Sequence, residues 1–299
     1  MVSPRLAHGP STRRLGLLCA ALTSVSLFGC AHAFQPGGRL VPAPAGALAA
    51  APLSRERIAV LAGSALAKGI FIVDEASGVV LGSFGVTREA TGVTAATPDG
   101  PLLLSIGANN GGSRSGAVEV WGLAGVKRRV IPLPTEGIGI TAVSHNTAYV
   151  LLGGGDARAA APISISSLRV GKPVPLSAGA TSLQLCPSIR GDFLLYSAAP
   201  QGLLILRSPR GDEAKSRFAA TGATCANGGS VAYAIAGGPL GRSVSTLSIP
   251  ALQQLSSAPA SNDAVALYET MQNHLLALNS TPAAATLEVF RDETVAIVP

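Results

Sequence analysis

The chain has 299 residues, of which 47% are apolar and 13% charged, with 35 glycines and 21 prolines, enough for one large domain or two small ones around a sizeable core. This composition excludes a coiled coil, an acidic disordered tail and a bundle of long helices. Its 22 basic and 16 acidic residues give +6, but Arg5, Arg13 and Arg14 fall in an N-terminal leader, and the remaining 19 basic residues leave +3, too little to mark a nucleic-acid partner.

The leader comes first. Residues 1–14 carry basic side chains and no acid, and the apolar run LGLLCAALTSVSLFGC then ends at Cys30. These are the two parts of a secretory signal, and the run is shorter than the roughly 20 residues of a membrane span. Two processing sites compete. Leu27, Phe28, Gly29 and Cys30 resemble a bacterial lipobox, with lipidation at Cys30, whereas Ala31, His32 and Ala33 form an A-x-A site releasing the chain from Phe34. Arg13 and Arg14 are similar to a twin-arginine signal, and an organellar transit peptide is the alternative to export. The expected location is outside the cytoplasm, as a periplasmic or cell-envelope lipoprotein or a secreted protein, with a membrane reached only through the lipid anchor.

Residues 34–56, rich in Pro, Gly and Ala and without periodicity, read as part of a tether that gains too little burial to offset its ordering entropy. The expected organisation is therefore a signal over 1–30, a tether over 31–56 and a folded domain over 57–299. Once Cys19 and Cys30 are assigned to the leader, Cys186 and Cys225 remain as an even pair. In an oxidising compartment they form a disulfide; two buried thiols are the alternative.

From Arg57 onward, short apolar runs recur between turn residues: IAVLAG at 58, LLLSIG at 102, AYVLLG at 148, FLLYSA at 193, VAYAIA at 231 and HLLALN at 274. Each is followed by a second run, and these centre on Val73, Val120, Ile165, Leu206, Leu247 and Val289, spaced 47, 45, 41, 41 and 42 residues apart. A repeat of about 43 residues holding four short strands is the mark of a propeller blade, because a single four-stranded sheet covers neither face and radial stacking covers both. The fold class is all-β: a β-propeller of six blades with four short antiparallel strands each, seven being the alternative. Ser77 and Gly78 supply a hairpin turn. The first innermost strand is placed in 37–48, unless the C-terminal TVAIVP closes the ring.

Val73, Asp74, Gly78, Val79, Val80, Val86, Gly92, Pro98, Asp99 and Gly100 give this stretch the pattern of a bacterial YVTN-type propeller repeat, which it resembles over about 50 residues. Further along, Trp121, Ser166 and Arg207 replace Asp74. The resemblance implies an exported propeller used for binding, at the surface or as a scaffold; related propellers include lactonases and quinoprotein dehydrogenases, and fold alone does not choose among them.

The chemical inventory is thin. His145 and His274 read as loop histidines, and Asp99 and Asp192 as acceptors of turn N–H groups. The Arg190-Gly191-Asp192 triplet is too short to mean adhesion. No phosphate-binding motif, nucleophile elbow or haem-attachment motif occurs. The enzymatic alternative is a calcium-dependent lactonase, for which Asn109, Asn146, Asn227 and Asp263 would supply oxygen ligands. The favoured reading is a non-enzymatic binding or scaffold module without a cofactor, its partner an unknown protein or envelope component. The candidate contact residues are Trp121, Lys127, Arg128, Arg129, His145, Tyr268 and His274.

Overall fold

The computed structural model describes residues 33–34, 39–54, 56–107, 115–154, 157–188, 191–226, 228–238, 241–270, 274–281, 283–290 and 292–293. Strands β1 (Ala33–Phe34) and β2 (Arg39–Ala43) open the chain. A first antiparallel sheet follows in chain order: β3 (Ala47–Pro52), β4 (Arg57–Gly63), β5 (Lys68–Asp74) and β6 (Val80–Val86). The second is β7 (Ala90–Ala95), β8 (Leu102–Ile106), β9 (Ala117–Trp121) and β10 (Lys127–Pro132). The third is β11 (Gly137–Ile140), β12 (Thr147–Leu152) and β13 (Arg158–Ser164), edged by β14 (Arg169–Val170) and β15 (Val174–Leu176), which both pair with β13.

A seven-strand sheet comes next, formed by β16 (Leu183–Cys186), β17 (Phe193–Ala198), β18 (Leu203–Arg207), β19 (Glu213–Cys225), β20 (Val231–Gly238), β21 (Gly241–Ser248) and β22 (Gln254–Pro259). The last sheet contains β23 (Ala264–Glu269), β24 (Leu275–Ser280) and β25 (Ala285–Phe290), and its outer edge is β2 from the start of the chain. The short β26 (Asp292–Glu293) pairs with β1. The ring is thus closed by N-terminal strands laid against C-terminal ones.

Burial explains why these runs are apolar at most positions. Successive strand side chains point to opposite faces, yet Ile58, Ala59, Val60, Leu61 and Ala62 are all buried, so both faces of the sheet must be covered. Ile58, Val60 and Val73 pack with Leu276, Leu287 and Val289 of the last sheet. Leu61, Ile70 and Ile72 pack on the other side with Leu102, Leu104 and Trp121. The pattern continues around the ring, through Leu103, Val118 and Val150, then Leu151, Leu194 and Tyr196. Each fully buried Leu or Ile contributes about 1.5–3 kcal/mol. Outer strands β6 and β10 are mostly exposed, which is why their sequences carry Gly, Ser and Arg among the valines.

The expectation of six four-stranded blades, with seven as the alternative, is not met. Four sheets follow a four-strand antiparallel path, the third with β15 added, β16–β22 form one sheet of seven, and β1 and β26 pair by themselves. The cause is β19, a strand of 13 residues: Glu213–Ala219 pairs with β18, whereas Ala220–Cys225 pairs with β20. Its sequence, EAKSRFAATGATC, has no Pro, Asn or Asp to stop the strand, so the chain passes from an outer edge to the axis without leaving the hydrogen-bonded ladder. Leu195, Leu204 and Leu206 pack with Ala232, Ala234 and Leu247, so the sheet folds back on itself at this strand.

The segment read as a spacer differs as well, because 39–43 and 47–52 are strands. Val41, Ala47, Ala50 and Ala51 are buried, and small Ala side chains suit an innermost strand, where backbones crowd. Pro42 is tolerated because β2 is an edge with no further ladder to serve. The turn at Ser77 and Gly78 forms as expected: Asp74 Oδ1 accepts from the Ser77 N–H at 2.7 Å and from its hydroxyl at 2.6 Å. Gly78 has φ 74°, and a Cβ there would lie 2.8 Å from Pro42 of the closing strand, so no larger residue fits. TVAIVP lies outside the described residues.

Candidate functional site

The innermost strands β3, β7, β11, β16, β19 and β23 surround the axis. Between them runs a narrow cavity of about 90 Å³, lined by Ala50, Val93, Ile140, Leu185, Thr224 and Tyr268 among others. At the end where these strands finish, it opens into a depression of about 450 Å³ lined by Pro52, Ala96, Pro98, Ala142, Val143 and Thr270 among others. Tyr268 and Glu269 are the ionisable groups among the described residues that line the narrow cavity; Tyr268 is the one moved far from its ordinary value. Desolvation pushes its phenol up to about 12, against the pull of a backbone hydrogen bond with Ala50, so it is neutral at physiological pH and offers a hydrogen bond rather than a charge.

The loops around this mouth are tied to one another by side-chain contacts to carboxylates. Arg57 Nη2 lies 2.7 Å from Asp99 Oδ1, joining the first sheet to the second. His145 Nδ1 lies 3.0 Å from Asp192 Oδ1, which also accepts from the Ser144 hydroxyl at 3.2 Å, joining the third sheet to the seven-strand sheet. His274 Nδ1 lies 2.9 Å from Glu75 Oε1, joining the last sheet to the first. Asp99, His145 and Asn146 have φ of 51°, 45° and 62°, the left-handed region that short polar residues tolerate in tight loops. Asp99 and Asp192 thus bind side chains of neighbouring loops, and the turn role assigned to them falls instead to Asp74. The two histidines are each engaged with a carboxylate of their own.

The oxygen ligands expected for a lactonase are not brought together. Asn146 Oδ1 accepts from the Ser166 N–H at 3.0 Å and its Nδ2 donates to the Ser166 hydroxyl at 2.9 Å, so its amide closes a hairpin. Asp263 precedes β23, at the opposite end of the innermost strands from Asn146. Asn109, Asn227 and the lipidation residue Cys30 lie outside the described residues, as does Arg190 of the RGD triplet. Among the described residues, no group of three or more His, Cys, Asp or Glu side chains is placed to hold a metal ion. Cys186 and Cys225 form a disulfide, with Cα atoms 5.1 Å apart, that staples innermost strand β16 to the inner half of β19.

Trp121 is buried, and its ring stacks on Phe84 with centroids 5.9 Å apart. Its Nε1–H donates to Glu119 Oε2 at 2.9 Å, the Thr87 hydroxyl donates to the same oxygen at 2.7 Å, and Lys127 Nζ meets Oε1 at 3.0 Å. The Lys127 ammonium also sits 5.7 Å from the indole centroid. Trp121 is therefore engaged inside the fold, whereas Lys127, Arg128 and Arg129 are exposed on β10, Lys127 with its ammonium engaged by Glu119. Glu119 escaped the sequence reading, although a lone acid within AVEVW was a signal that a buried carboxylate needs donors.

No protein family matches the chain, and no curated protein resembles it closely enough to count as a match. Solved structures do match in fold. One from a mitotic checkpoint complex aligns at TM-score 0.60 and 13% identity over 94% of this chain and 98% of that chain. The RRP9 WD40 repeats align at TM-score 0.54 and 13% identity over 81% and 80%. Hydrazine synthase of Kuenenia stuttgartiensis aligns at TM-score 0.52 and 12% identity over 81% and 95%. The chain is a β-propeller. The resemblance to the YVTN-type family is not upheld: the repeat motif covers one stretch, no family matches, and the shared fold extends to WD40 repeats. Such motifs report the hairpin turns that any propeller needs.

Proposed function

We propose that this chain is an exported, non-enzymatic binding module that presents the mouth of its ring to a partner protein of the envelope or exterior. The observation that carries this reading is the set of three loop-to-loop contacts, one ion pair and two histidine–carboxylate hydrogen bonds, around a mainly apolar depression. Loops held in this way lose little freedom on binding, so contact energy is not consumed in ordering them. One of the similar folds belongs to a multiprotein complex, the mitotic checkpoint complex, which accords with a scaffold role. Export is supported by the Cys186–Cys225 disulfide, since such bonds persist in oxidising compartments.

A photo-cross-linking residue at Ala142, on the rim of the mouth, tests the reading in the source cells against the same residue at Val80, on an outer strand. A discrete adduct from position 142 that is missing from position 80 is expected. Identical patterns from both positions would sink it. Fractionation of the same cells tests export: the disulfide-linked form should lie outside the cytoplasm.

A further inference from the structure

The outer strands differ in how they are protected. Among the described strands β6, VLGSFGV, pairs only with β5 and carries neither a charge nor a proline along its free edge. Each other outer strand has at least one of these: Pro42 in β2, Lys127 in β10, Arg169 in β14, Pro175 in β15, Lys215 in β19 and Pro259 in β22. Charges and prolines keep a bare strand edge from pairing with another chain. Exposed Val79, Val80 and Leu81 lie at the start of β6, and exposed Val126 follows Gly125, which abuts Phe84.

The backbone of β6 offers a regular run for such pairing. Its register against β5 shifts between Val80 and Gly82, leaving Leu81 as a bulge and Gly82–Val86 in unbroken alternation. The Ser64 N–H bonds to the Ala67 carbonyl, and the Asp74 N–H to the Val79 carbonyl. These bonds fix the alternation: Lys68, Ile70 and Ile72 turn their backbone groups to β6, where Val86, Phe84 and Gly82 answer them. Ser83 and Gly85 therefore turn their N–H and C=O groups outward, to the free edge. A Cβ added at Gly82 or Gly85 would meet no atom within 4 Å, so the fold does not itself demand these glycines. Glycine inside a strand marks a place where another backbone comes close.

We propose that β6 is the contact of a two-fold homodimer, in which Gly82–Val86 pairs antiparallel with the same strand of a second copy about an axis at Phe84. Ser83 of each copy then exchanges N–H···O bonds with Gly85 of the other, and Gly82 faces Val86. Phe84 faces Phe84 in a non-hydrogen-bonded pair, where side chains approach most closely. A two-fold sets a surface against itself, so a charged strand meets its own charge. Uncharged β6 incurs no such repulsion, whereas β10 would bring Lys127, Arg128 and Arg129 onto a second such trio. The strand ends are complementary: antiparallel pairing directs exposed Arg88, which follows β6 and is held through Nε by Glu89, toward the Asp74 turn that precedes β6 in the other copy. The proposal does not rest on the mouth being a binding surface.

Sedimentation equilibrium of the purified protein tests it, and a monomer–dimer equilibrium is expected. Ser83→Lys, which sets two lysines close together across the axis, and Gly85→Pro, which removes an outward N–H, should each weaken dimerisation at least about tenfold. Val130→Lys adds the same charge to exposed β10 and should leave dimerisation unchanged. Ser83 and Gly85 are exposed, and an unaltered circular dichroism spectrum checks that their variants fold. Copies carrying Ser83→Cys, mixed with copies carrying Gly85→Cys under mild oxidation, should give a disulfide-linked dimer, because facing hydrogen-bonded residues have Cα atoms about 5.5 Å apart. A monomer at every concentration, growth past the dimer to larger species, a dimer that survives both Ser83→Lys and Gly85→Pro, or no cross-link between the two cysteine variants would overturn the assignment. The cross-linking at Ala142 has its own readout, so either proposal can fail without the other.

Discussion

His274 Nδ1 stands 2.9 Å from Glu75 Oε1 across 199 residues of sequence, and the Glu75 side chain is only 7% exposed. The pair fastens the last sheet to the first beside the ring's closing seam. His274→Ala leaves a buried carboxylate without this donor and should cost about 1–3 kcal/mol, measured by urea unfolding. His274→Gln retains an N–H donor and should recover part of the loss. Unchanged stability in the alanine variant would show that the contact does not support the seam.

The Cys186–Cys225 bond closes a loop of 39 residues. Restricting the unfolded chain to that extent is worth about 4 kcal/mol in the chain-entropy account. Reduction, or replacement of both cysteines by serine, should lower stability by about that amount. A shift of under about 1 kcal/mol would mean that packing of β16 on β19 already holds the two strands.

Glu119→Ala removes the acceptor for the Trp121 indole N–H and the Thr87 hydroxyl, and the ion-pair partner of Lys127. A loss of about 2–3 kcal/mol is expected. The chain has one tryptophan, so its fluorescence reports this site alone, and the emission should move to longer wavelength as water reaches the ring. Unaltered emission would argue against the network.

Tyr268 gives the fold an alkaline limit. Its phenol titrates near 12 in the folded ring against 10.0 for an ordinary tyrosine, so the unfolded chain releases that proton first. The associated stability is fully present below pH 10, and about 3 kcal/mol is lost as pH rises toward 12. Tyr268→Phe should flatten stability over that window, read as the urea midpoint at successive pH values. An unchanged slope would assign the alkaline loss elsewhere, for instance to Tyr149 and Tyr196, whose phenols burial also raises.

The inner strands were legible because both of their faces are buried: IAVLAG and LLLSIG became β4 and β8 since their residues are apolar but for the small, buried Ser105. β2 and β3 were not, because RLVPA and ALAAAP have the composition of a spacer, and only the far end of the chain shows what they pack against. The continuity of β19 was hidden because strand length is read from breakers, and a run without breakers gives no sign of which neighbour it pairs with at each end. The histidines stood out by their rarity, but Glu75 and Asp192 became their partners only through ring geometry. Glu119, a lone acid within AVEVW, escaped because its donors Thr87 and Lys127 reach it only through the pairing of the strands.

Closure of the ring by β2 on β25 sets the order of folding. The strand that completes the last sheet is made well before its partner, with every other sheet of the ring encoded between them, so this pairing has a very large sequence separation. High contact order slows folding, and until β2 docks, the outer edge of β25 offers unpaired N–H and C=O groups to any other chain. The newly made protein is therefore most exposed to aggregation in the interval between synthesis of β25 and docking of β2, and a chaperone that shields one strand edge would protect it through that interval.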